Sequence, residues 1–259
     1  MAPPRIATAR ERARAELTRE IKEEARRQLV ATGAEGLSLR AVARELGMVS
    51  SALYRYYPSR DDLLTALIID AYNAVGEAAE HAVAGTGSAG GAVAARERWI
   101  GACHAVRDWA RSNPHEYALI YGSPVPGYRA PEATIGPAAR VPLALIGVVQ
   151  GALAAGQLTA ATEMPPATGA LAEQASALAE ALSRSVASPR AQAGGHAFAA
   201  VPPDVLVRAV IAWTQLFGMI SFELFGQFVG SFEPADALFA HAVVQLAAFV
   251  GLRERAEGL

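Results

Sequence analysis

Several side chains with hydrogen-bond donors lie close together in the sequence, between Arg40 and Arg60. The guanidinium groups of these two arginines present planar sets of N–H donors that fit phosphate oxygens and the acceptor edge of guanine. Between them lie hydroxyl groups, which bond phosphate oxygens readily, on Ser50, Ser51, Tyr54 and Tyr56. This set of donors suits the binding of a polyanion.

Two short helices joined by a tight turn are expected to position these donors. Ser38 is placed to cap the first helix, whose buried face includes Val42. Gly47 follows where that helix must stop and turn sharply. A second short helix is expected over 50–57, because Pro58 disfavours helical geometry in the residue before it. This pattern is typical of a helix-turn-helix, whose second helix projects its first polar residues into a major groove of DNA.

Longer helices are predicted on both sides of this motif. Apolar residues recur at helical spacing over 17–29, which predicts a helix that precedes the motif. Ser59 and Asp62 have the spacing of a capping box and open a further helix after the motif. Residues 1–16 are expected to form a flexible arm, so the predicted DNA-binding domain spans 17–75.

The charge of the chain is unevenly distributed. The formal net charge at pH 7 is −2. Residues 1–60 contain 12 Lys and Arg against 7 Asp and Glu, whereas residues 61–259 contain 11 against 18. A basic head on an acidic body indicates that the head alone meets a polyanion such as nucleic acid. A chance excess of solvated arginines is the alternative explanation.

The string LRAVARELGMVSSALYRYYPSRDDLL, residues 39–64, resembles the DNA-binding head of the tetracycline-repressor-like (TetR) family. The resemblance implies a double-stranded DNA operator as partner. One position departs from the family, since Val49 stands where a Ser or Thr often caps the recognition helix. Either Ser50 caps that helix or its start is uncapped. The DNA contacts that the resemblance implies are Arg40, Ser50, Ser51, Tyr54, Tyr56 and Arg60.

The rest of the chain, 76–259, is expected to form an all-α body. Its high alanine content favours helices over strands, and clusters of Gly and Pro separate the apolar runs. The last two helices are rich in apolar residues and suited to pair with their symmetry mates as a four-helix bundle. The resemblance implies such a homodimer, and hence a palindromic operator. The helices are predicted over 93–112, 115–121, 131–158 or 138–158, 168–185, 203–229 and 234–253.

The TetR resemblance also implies a regulator, usually a repressor, that a small-molecule effector releases from DNA. Aromatic side chains of the body offer a mostly hydrophobic lining for such an effector. The run Trp213 to Gly218 is similar to the Trp-x-x-x-His-Gly pattern of one subfamily, but Phe217 replaces its histidine. An ordinary helical core is the alternative for these aromatic residues. The predicted effector-binding residues are Trp99, His104, Arg107, Trp109, Tyr117, Tyr121, Trp213 and Phe217.

Catalytic and metal-binding signatures are weak. The single cysteine, Cys103, excludes an internal disulfide framework. Its neighbour His104 points about 100° away around a helix, which argues against a Cys–His dyad. Glu77 and His81 lie one turn apart, but two ligands do not make a metal site. No enzyme activity, metal or other cofactor is expected.

The apolar runs are too short or too interrupted to predict a membrane span. The uncharged stretch 209–222 falls short of the roughly 18 residues that a span needs. The Arg-rich start is not followed by the apolar core of a secretory signal. We therefore expect a cytoplasmic protein without a membrane partner.

The remaining alternative for the function is a ligand-binding module whose head has lost DNA binding. Only Val49, at the expected cap position, favours this alternative.

Overall fold

The computed structural model describes residues 8–85, 92–159, 165–186 and 201–252. Every regular element within these ranges is a helix, which confirms the all-α class. The elements are α1 (Ala9–Thr32), α2 (Leu39–Glu45), α3 (Ser50–Leu53), α4 (Arg60–Gly85), α5 (Ala92–Ser112), α6 (Pro114–Tyr121), the 3₁₀ helix η1 (Glu132–Thr134), α7 (Ile135–Ala154), α8 (Gly169–Val186), α9 (Pro203–Leu224) and α10 (Asp236–Phe249).

The chain divides into two compact units, of which unit 1 comprises Met1–Asn73 and Asn113–Pro137. Its core is one apolar cluster to which α1, α2 and α3 each contribute. Ile21, Val42 and Leu53, one from each of these helices, are fully buried. Burial of these side chains holds the two short helices of the predicted helix-turn-helix against α1.

The first helix begins earlier than the sequence predicted. α1 starts at Ala9, where Thr8 and Glu11 form a capping box. The Glu11 backbone N–H donates to Thr8 Oγ1 at 3.2 Å, and the Thr8 N–H donates to the Glu11 carboxylate at 2.6 Å. The expectation of a flexible arm over 1–16 is therefore wrong for 9–16, while 1–7 lie outside the described residues. The arm prediction rested on missing apolar periodicity, whereas the Ala, Arg and Glu residues there favour a helix by themselves.

Unit 1 also contains a segment from much further along the chain, Asn113–Pro137. Leu119 and Val125 of this segment pack against the apolar cluster of the head. The hydroxyl groups of Thr65 and Tyr128 lie 2.9 Å apart, within hydrogen-bonding distance. The predicted division placed everything after residue 75 in the body, whereas the structure groups this segment with the head. Periodicity identifies the buried face of a helix and not the surface that it packs against, so it could not predict this grouping.

Unit 2 comprises Ala74–Ser112 and Ala138–Leu259. Its buried centre includes Trp99 of α5, Leu216 of α9 and Phe239 of α10, each 1% exposed. The end of α4 belongs to this unit as well, because that helix continues past the predicted end at residue 75 to Gly85.

Two further helix ends differ from the prediction. α3 ends at Leu53, after which the N–H groups of Tyr56 and Tyr57 both donate to its carbonyl oxygen and close the turn before 57. α9 ends at Leu224 rather than 229, since Gly226 has a φ of +75° and turns the chain. Residues 187–200, between the predicted helices over 168–185 and 203–229, lie outside the described residues.

Two helical segments are long and apolar enough to cross a membrane by length and composition, Glu132–Ala154 and Pro203–Leu224. Both also supply buried side chains to unit 2, among them Leu145 and Ile220. Core helices of this kind pass the same test, so the two segments are weak evidence of membrane insertion.

Candidate DNA-binding site

The turn between α2 and α3 has the geometry that a helix-turn-helix requires. Ser38 Oγ caps α2 by accepting the N–H of Ala41 at 3.4 Å. Gly47 has a φ of +65°, in the left-handed region that side chains other than glycine rarely adopt. The next N–H, of Met48, donates back to the carbonyl of Ala43 at 2.8 Å. This closed turn sets the direction of α3.

The recognition helix α3 starts without a side-chain cap. Val49 occupies the N-cap position with extended backbone, and no side-chain hydrogen bond reaches the helix from it. Of the two alternatives left by the sequence, the uncapped start is therefore the observed one. Val49 is 70% exposed, whereas Leu53 at the other end is fully buried and anchors the helix to the head.

The predicted donors around α3 are largely accessible. Arg40, Ser51 and Tyr54 are exposed, and Ser50 is half-buried. Within the described residues, Arg40 has neither a hydrogen bond nor an ion pair, so its guanidinium is available to an external acceptor. Tyr57 is 8% exposed, and burial raises the pKa of its phenol. Tyr54 thus lies on the surface and Tyr57 in the core.

Tyr56 occupies the edge of this donor surface. It packs partly against the apolar cluster of the head. The guanidinium carbon of Arg14 in α1 lies 5.1 Å from the centre of the Tyr56 ring, a cation–π contact. Tyr56 therefore links the first turns of α1 to the stretch that follows α3.

Arg60 has a structural role that the sequence did not reveal. Its Nη2 donates to the carbonyl of Ala34 at 2.6 Å, and its Nε donates to the carbonyl of Leu37 at 3.2 Å. Both carbonyls belong to the turn between α1 and α2, outside either helix. The geometry gives Arg60 a role in fixing this turn, and the DNA contact implied by the family pattern stays a prediction.

Two other cations of the basic head are held by ion pairs within unit 1. Lys22 Nζ and Arg26 Nη2 lie 2.8 and 2.9 Å from the two carboxylate oxygens of Asp70. Arg26 Nε also contacts the carboxylate of Glu116 in α6 at 2.7 Å. These pairs tie α1 to α4 and α6, so not every positive charge of the head is available to a polyanion.

The predicted effector-binding residues are divided between the two units. Tyr117 and Tyr121 lie in unit 1, where their rings are 5.1 Å apart and Tyr121 packs edge-on against Tyr72. Burial raises the pKa of Tyr121, with a further contribution from Tyr72 and Tyr117. This aromatic cluster is part of the interior of unit 1. The other six residues belong to unit 2: Trp99, His104, Arg107, Trp109, Trp213 and Phe217.

Arg107 is an internal ion-pair partner and not the open polar anchor that the sequence suggested. It is 3% exposed and donates to both carboxylate oxygens of Glu223 at 2.7 Å. Its Nη1 donates to Asp236 at 3.0 Å, and this hydrogen bond lowers the pKa of the Asp236 carboxyl. The buried guanidinium needs these carboxylates because an unpaired buried charge is very costly.

The remaining aromatic residues of the predicted set mostly pack against one another or the core. The rings of His104 and Phe239 are 5.3 Å apart, and Phe217 packs edge-on against Trp213 at 6.1 Å. The indole N–H groups of Trp99 and Trp213 are buried and donate to no acceptor among the described residues. A buried donor of this kind costs about 1–3 kcal/mol unless an acceptor reaches it.

A cavity in unit 2 involves residues that the sequence did not single out. Its volume is about 590 Å³. The cavity lies between the end of α7, the start of α8 and the start of α9. No local sequence pattern predicts a cavity that distant segments form by packing together. Its mostly apolar lining includes Leu153, Leu171, Val205 and Ile211, with the polar residues Asp204 and Arg208.

Catalytic groups are poorly placed in the described residues. Cys103 is fully buried, and burial raises the pKa of its thiol, which disfavours the reactive thiolate. Its neighbour His104 packs on Phe239. Glu77 and His81 lie 3.9 Å apart on an exposed face of α4, and no third metal-binding side chain joins them within the described ranges.

Two family models match this chain, one within the head and one over the body. A family model described as bacterial regulatory proteins, tetR family, matches residues 21–67, and a tetracyclin repressor-like C-terminal domain model matches residues 99–246. The HTH-type transcriptional regulator Rv1816 of Mycobacterium tuberculosis is 38% identical over 223 residues, which are 83% of this chain and 84% of the relative.

Solved structures are similar over almost the whole chain. The crystal structure of SCO4313, described as a proposed regulatory protein, is 34% identical with a TM-score of 0.66, covering 93% of this chain and 100% of that one. The TetR family transcriptional regulator PfmR from Thermus thermophilus covers 97% of this chain and 100% of its own, with a TM-score of 0.52. At 16% identity, this second likeness shows the fold alone.

The structure of the head and the matches to both parts of the chain support the same family assignment. The head carries a closed helix-turn-helix with accessible donors, and the matched models cover residues of both units. Such regulators form a class distinct from enzymes, and regulation of transcription implies a cytoplasmic protein. The chain belongs to the TetR family of DNA-binding transcriptional regulators.

Proposed function

We propose that this protein represses transcription by binding a palindromic operator as a homodimer, and that a small, mostly hydrophobic ligand releases it. The accessible donor set around α3 carries the proposal, because it is what two heads would present to two half-sites. Half-sites read by such dimers lie about one helical turn of DNA, ~34–36 Å, or a multiple of it apart.

The proposed contacts divide between base edges and phosphates. Ser50 and Ser51 open α3, and their short side chains let the helix backbone approach the base edges. Tyr54 is 42% exposed and offers its hydroxyl to a phosphate. Arg40 is exposed at the start of α2 and reaches either a phosphate or a base edge. Tyr56 lies at the rim of this surface.

An exposed face of α9 that leads to exposed aromatic residues supports the proposed homodimer. Thr214, Gly218 and Phe222 recur every four residues and are all exposed, so they share one face of the helix. Phe222 is 54% exposed, and the exposed Phe225 and Phe232 follow beyond the helix end. Exposed aromatic residues in this number mark a surface that is covered in the working protein.

Sedimentation of one matched pair of variants tests the dimer. Phe222→Glu places a charge on the proposed interface and is expected to give a monomer with unchanged helical content. Leu178→Glu is the control, because Leu178 of α8 is also an exposed apolar residue, at 42%. A wild type that sediments as a monomer, or a Phe222→Glu variant that stays dimeric, contradicts the proposal.

The cavity beside the start of α9 supports a hydrophobic effector. Its volume of about 590 Å³ suits a small molecule, since ligand pockets span roughly 300–1,000 Å³. α4 runs unbroken from Arg60 to Gly85 and contributes residues to both units, and its Glu80 pairs with Arg140 of α7, the helix whose end lines the cavity. Allosteric coupling of this type is worth about 1–3 kcal/mol.

A thermal-shift screen with medium-chain alcohols and substituted aromatic compounds tests the effector proposal. Compounds that stabilise the wild type are expected to lose this effect with Val205→Trp, which fills the cavity, and to weaken DNA binding by the wild type. Compounds that stabilise both proteins equally bind elsewhere and contradict the assignment of the cavity.

Selection of bound duplexes from a random DNA pool tests the function as a whole. The wild type is expected to enrich a palindrome, whereas the Tyr54→Ala, Arg40→Ala double variant is expected to enrich none. Enrichment of unrelated sequences by both proteins would contradict operator recognition through α3. A transcription assay on the enriched palindrome then distinguishes a repressor from an activator.

A further inference from the structure

We propose that the first two turns of α1 form a second DNA-contacting surface, in which Arg10 and Arg14 bind phosphates next to those reached by Tyr54. The inference rests on the proposed function, because it enlarges the footprint of the same head. Its partner is the sugar–phosphate backbone that flanks each half-site.

The beginning of α1 extends beyond the core of the head. Residues 9–16 are all exposed, and Leu17 is the first residue of the helix that packs against the apolar cluster. At 1.5 Å per residue, these eight residues add about 12 Å of helix. A capping box between Thr8 and Glu11 fixes their start, so the extension is an ordered helix.

The direction of this extension follows from one contact. The guanidinium of Arg14 lies over the ring of Tyr56, two residues after Tyr54 in the chain. Arg10 lies one turn before Arg14 on the same helix face, which continues the face that Leu17 presents to the core. The extension therefore runs beside the donor surface of α3 and not away from it.

The charges of this extension are available to an external anion. Within the described residues, neither Arg10 nor Arg14 forms an ion pair with a carboxylate. Arg19, by contrast, is held between Glu16 and Glu23, and its Nη1 lies 2.6 Å from the Glu23 carboxylate. The cation–π contact with Tyr56 uses the face of the Arg14 guanidinium. The N–H groups at the edge of the guanidinium therefore remain free to donate.

Phosphate is the acceptor that best fits this arrangement. A guanidinium donates to two phosphate oxygens at once, and each such contact releases condensed counterions from DNA. Continuity with Tyr54 and Tyr56 places the two arginines at the margin of the proposed operator surface, where backbone contacts set the register of a protein on DNA.

The test is the salt dependence of the affinity for the selected operator duplex, measured by fluorescence anisotropy. Arg10→Ala and Arg14→Ala are each expected to reduce the slope of log K against log[salt] by about 0.9 per protomer, or about 1.8 per dimer. Arg12→Ala is the matched control, since it removes the same charge but points about 200° away from Arg10 around the helix. Arg14→Lys is expected to keep most of the slope.

The possible outcomes separate this inference from the function on which it rests. Slopes that fall equally for Arg12→Ala, Arg10→Ala and Arg14→Ala, or that do not fall at all, overturn the second surface while leaving operator binding intact. Wild-type protein that binds no duplex at low salt overturns both. Circular dichroism of each variant, expected to match the wild type, excludes loss of α1 as the cause of a changed slope.

Discussion

The Arg107 guanidinium donates to both carboxylate oxygens of Glu223 at 2.7 Å, and this ion pair joins the middle of α5 to the end of α9. A third bond, to Asp236 at 3.0 Å, reaches the start of α10. Arg107 is 3% exposed, so its guanidinium is largely removed from water, whereas Asp236 remains exposed. One buried cation thus connects three helices of unit 2, next to the phenylalanine-rich link between α9 and α10.

Arg107→Met is expected to lower the free energy of unfolding by about 3 kcal/mol, because it leaves Glu223 without its buried partner. The double variant Arg107→Met, Glu223→Leu is expected to recover part of this loss. Urea denaturation monitored by circular dichroism measures both effects.

A second Arg–Glu pair supplies the control for that prediction. Arg140 donates twice to Glu80, but their side chains are 28% and 44% exposed. Glu80→Gln is expected to cost less than about 1 kcal/mol, as other solvated pairs do. Equal losses for the two pairs would show that burial does not govern the Arg107 interaction.

Arg60 and Arg40 are expected to respond in opposite ways. Arg60→Ala removes donors to the carbonyls of Ala34 and Leu37 and should destabilise the head by about 1–3 kcal/mol. Arg40→Ala should leave the unfolding midpoint unchanged and weaken operator binding. If Arg60→Ala lowers only DNA affinity, with full stability, the fixing role assigned to Arg60 is wrong.

Gly47→Ala is expected to destabilise unit 1 by about 1–2 kcal/mol, since alanine is strained at a φ of +65°. No neighbouring atom lies within 4 Å of the added methyl group, so backbone strain alone sets the cost. Gly101→Ala is the comparison, because it too has no atom within 4 Å and lies inside α5. Thermal denaturation should show a gain of about 0.5–1 kcal/mol for Gly101→Ala.

The buried tyrosine cluster predicts a loss of stability at alkaline pH. Burial raises the pKa of Tyr121 in the folded chain above its value of about 10 in the unfolded chain. This contribution to stability is therefore complete below about pH 10 and disappears as the pH rises towards the folded pKa. Tyr121→Phe should flatten the fall in unfolding midpoint between pH 9 and 11 (roughly the range around the unfolded pKa). An unchanged pH profile would contradict the assignment.

The sequence predicted the helix-turn-helix because its signals are local. Ser38, Gly47 and the Ser59–Asp62 pair each act within a few residues: Ser38 caps α2, Gly47 has a positive φ, and Ser59 Oγ accepts the N–H of Asp62 at 3.1 Å. The same local reasoning does not separate the exposed Tyr54 from the buried Tyr57. Residues three apart lie within about 60° of each other around a helix, and α3 already ends at Leu53, so tertiary packing sets the exposure of these two side chains.

The sequence did not predict which distant residues pair with Arg60 and Arg107. Arg60 was assigned to DNA from its place in the motif, yet its acceptors lie 23 and 26 residues earlier in the chain. Arg107 was chosen as a polar anchor among aromatic residues, but its carboxylates come from α9 and α10. Such pairings depend on how distant segments pack together. Local periodicity in a single sequence does not predict them.

Sequence recognition by α3 is tested most directly by the ratio of affinities for the selected palindrome and a scrambled duplex at physiological salt. We expect a ratio of about 10³ or more for the wild type, as for other specific DNA-binding proteins. That ratio is expected to collapse for Ser51→Asp, which places a negative charge at the exposed start of α3. A wild-type ratio near one, or a Ser51→Asp variant with full specificity, would contradict sequence recognition by this helix.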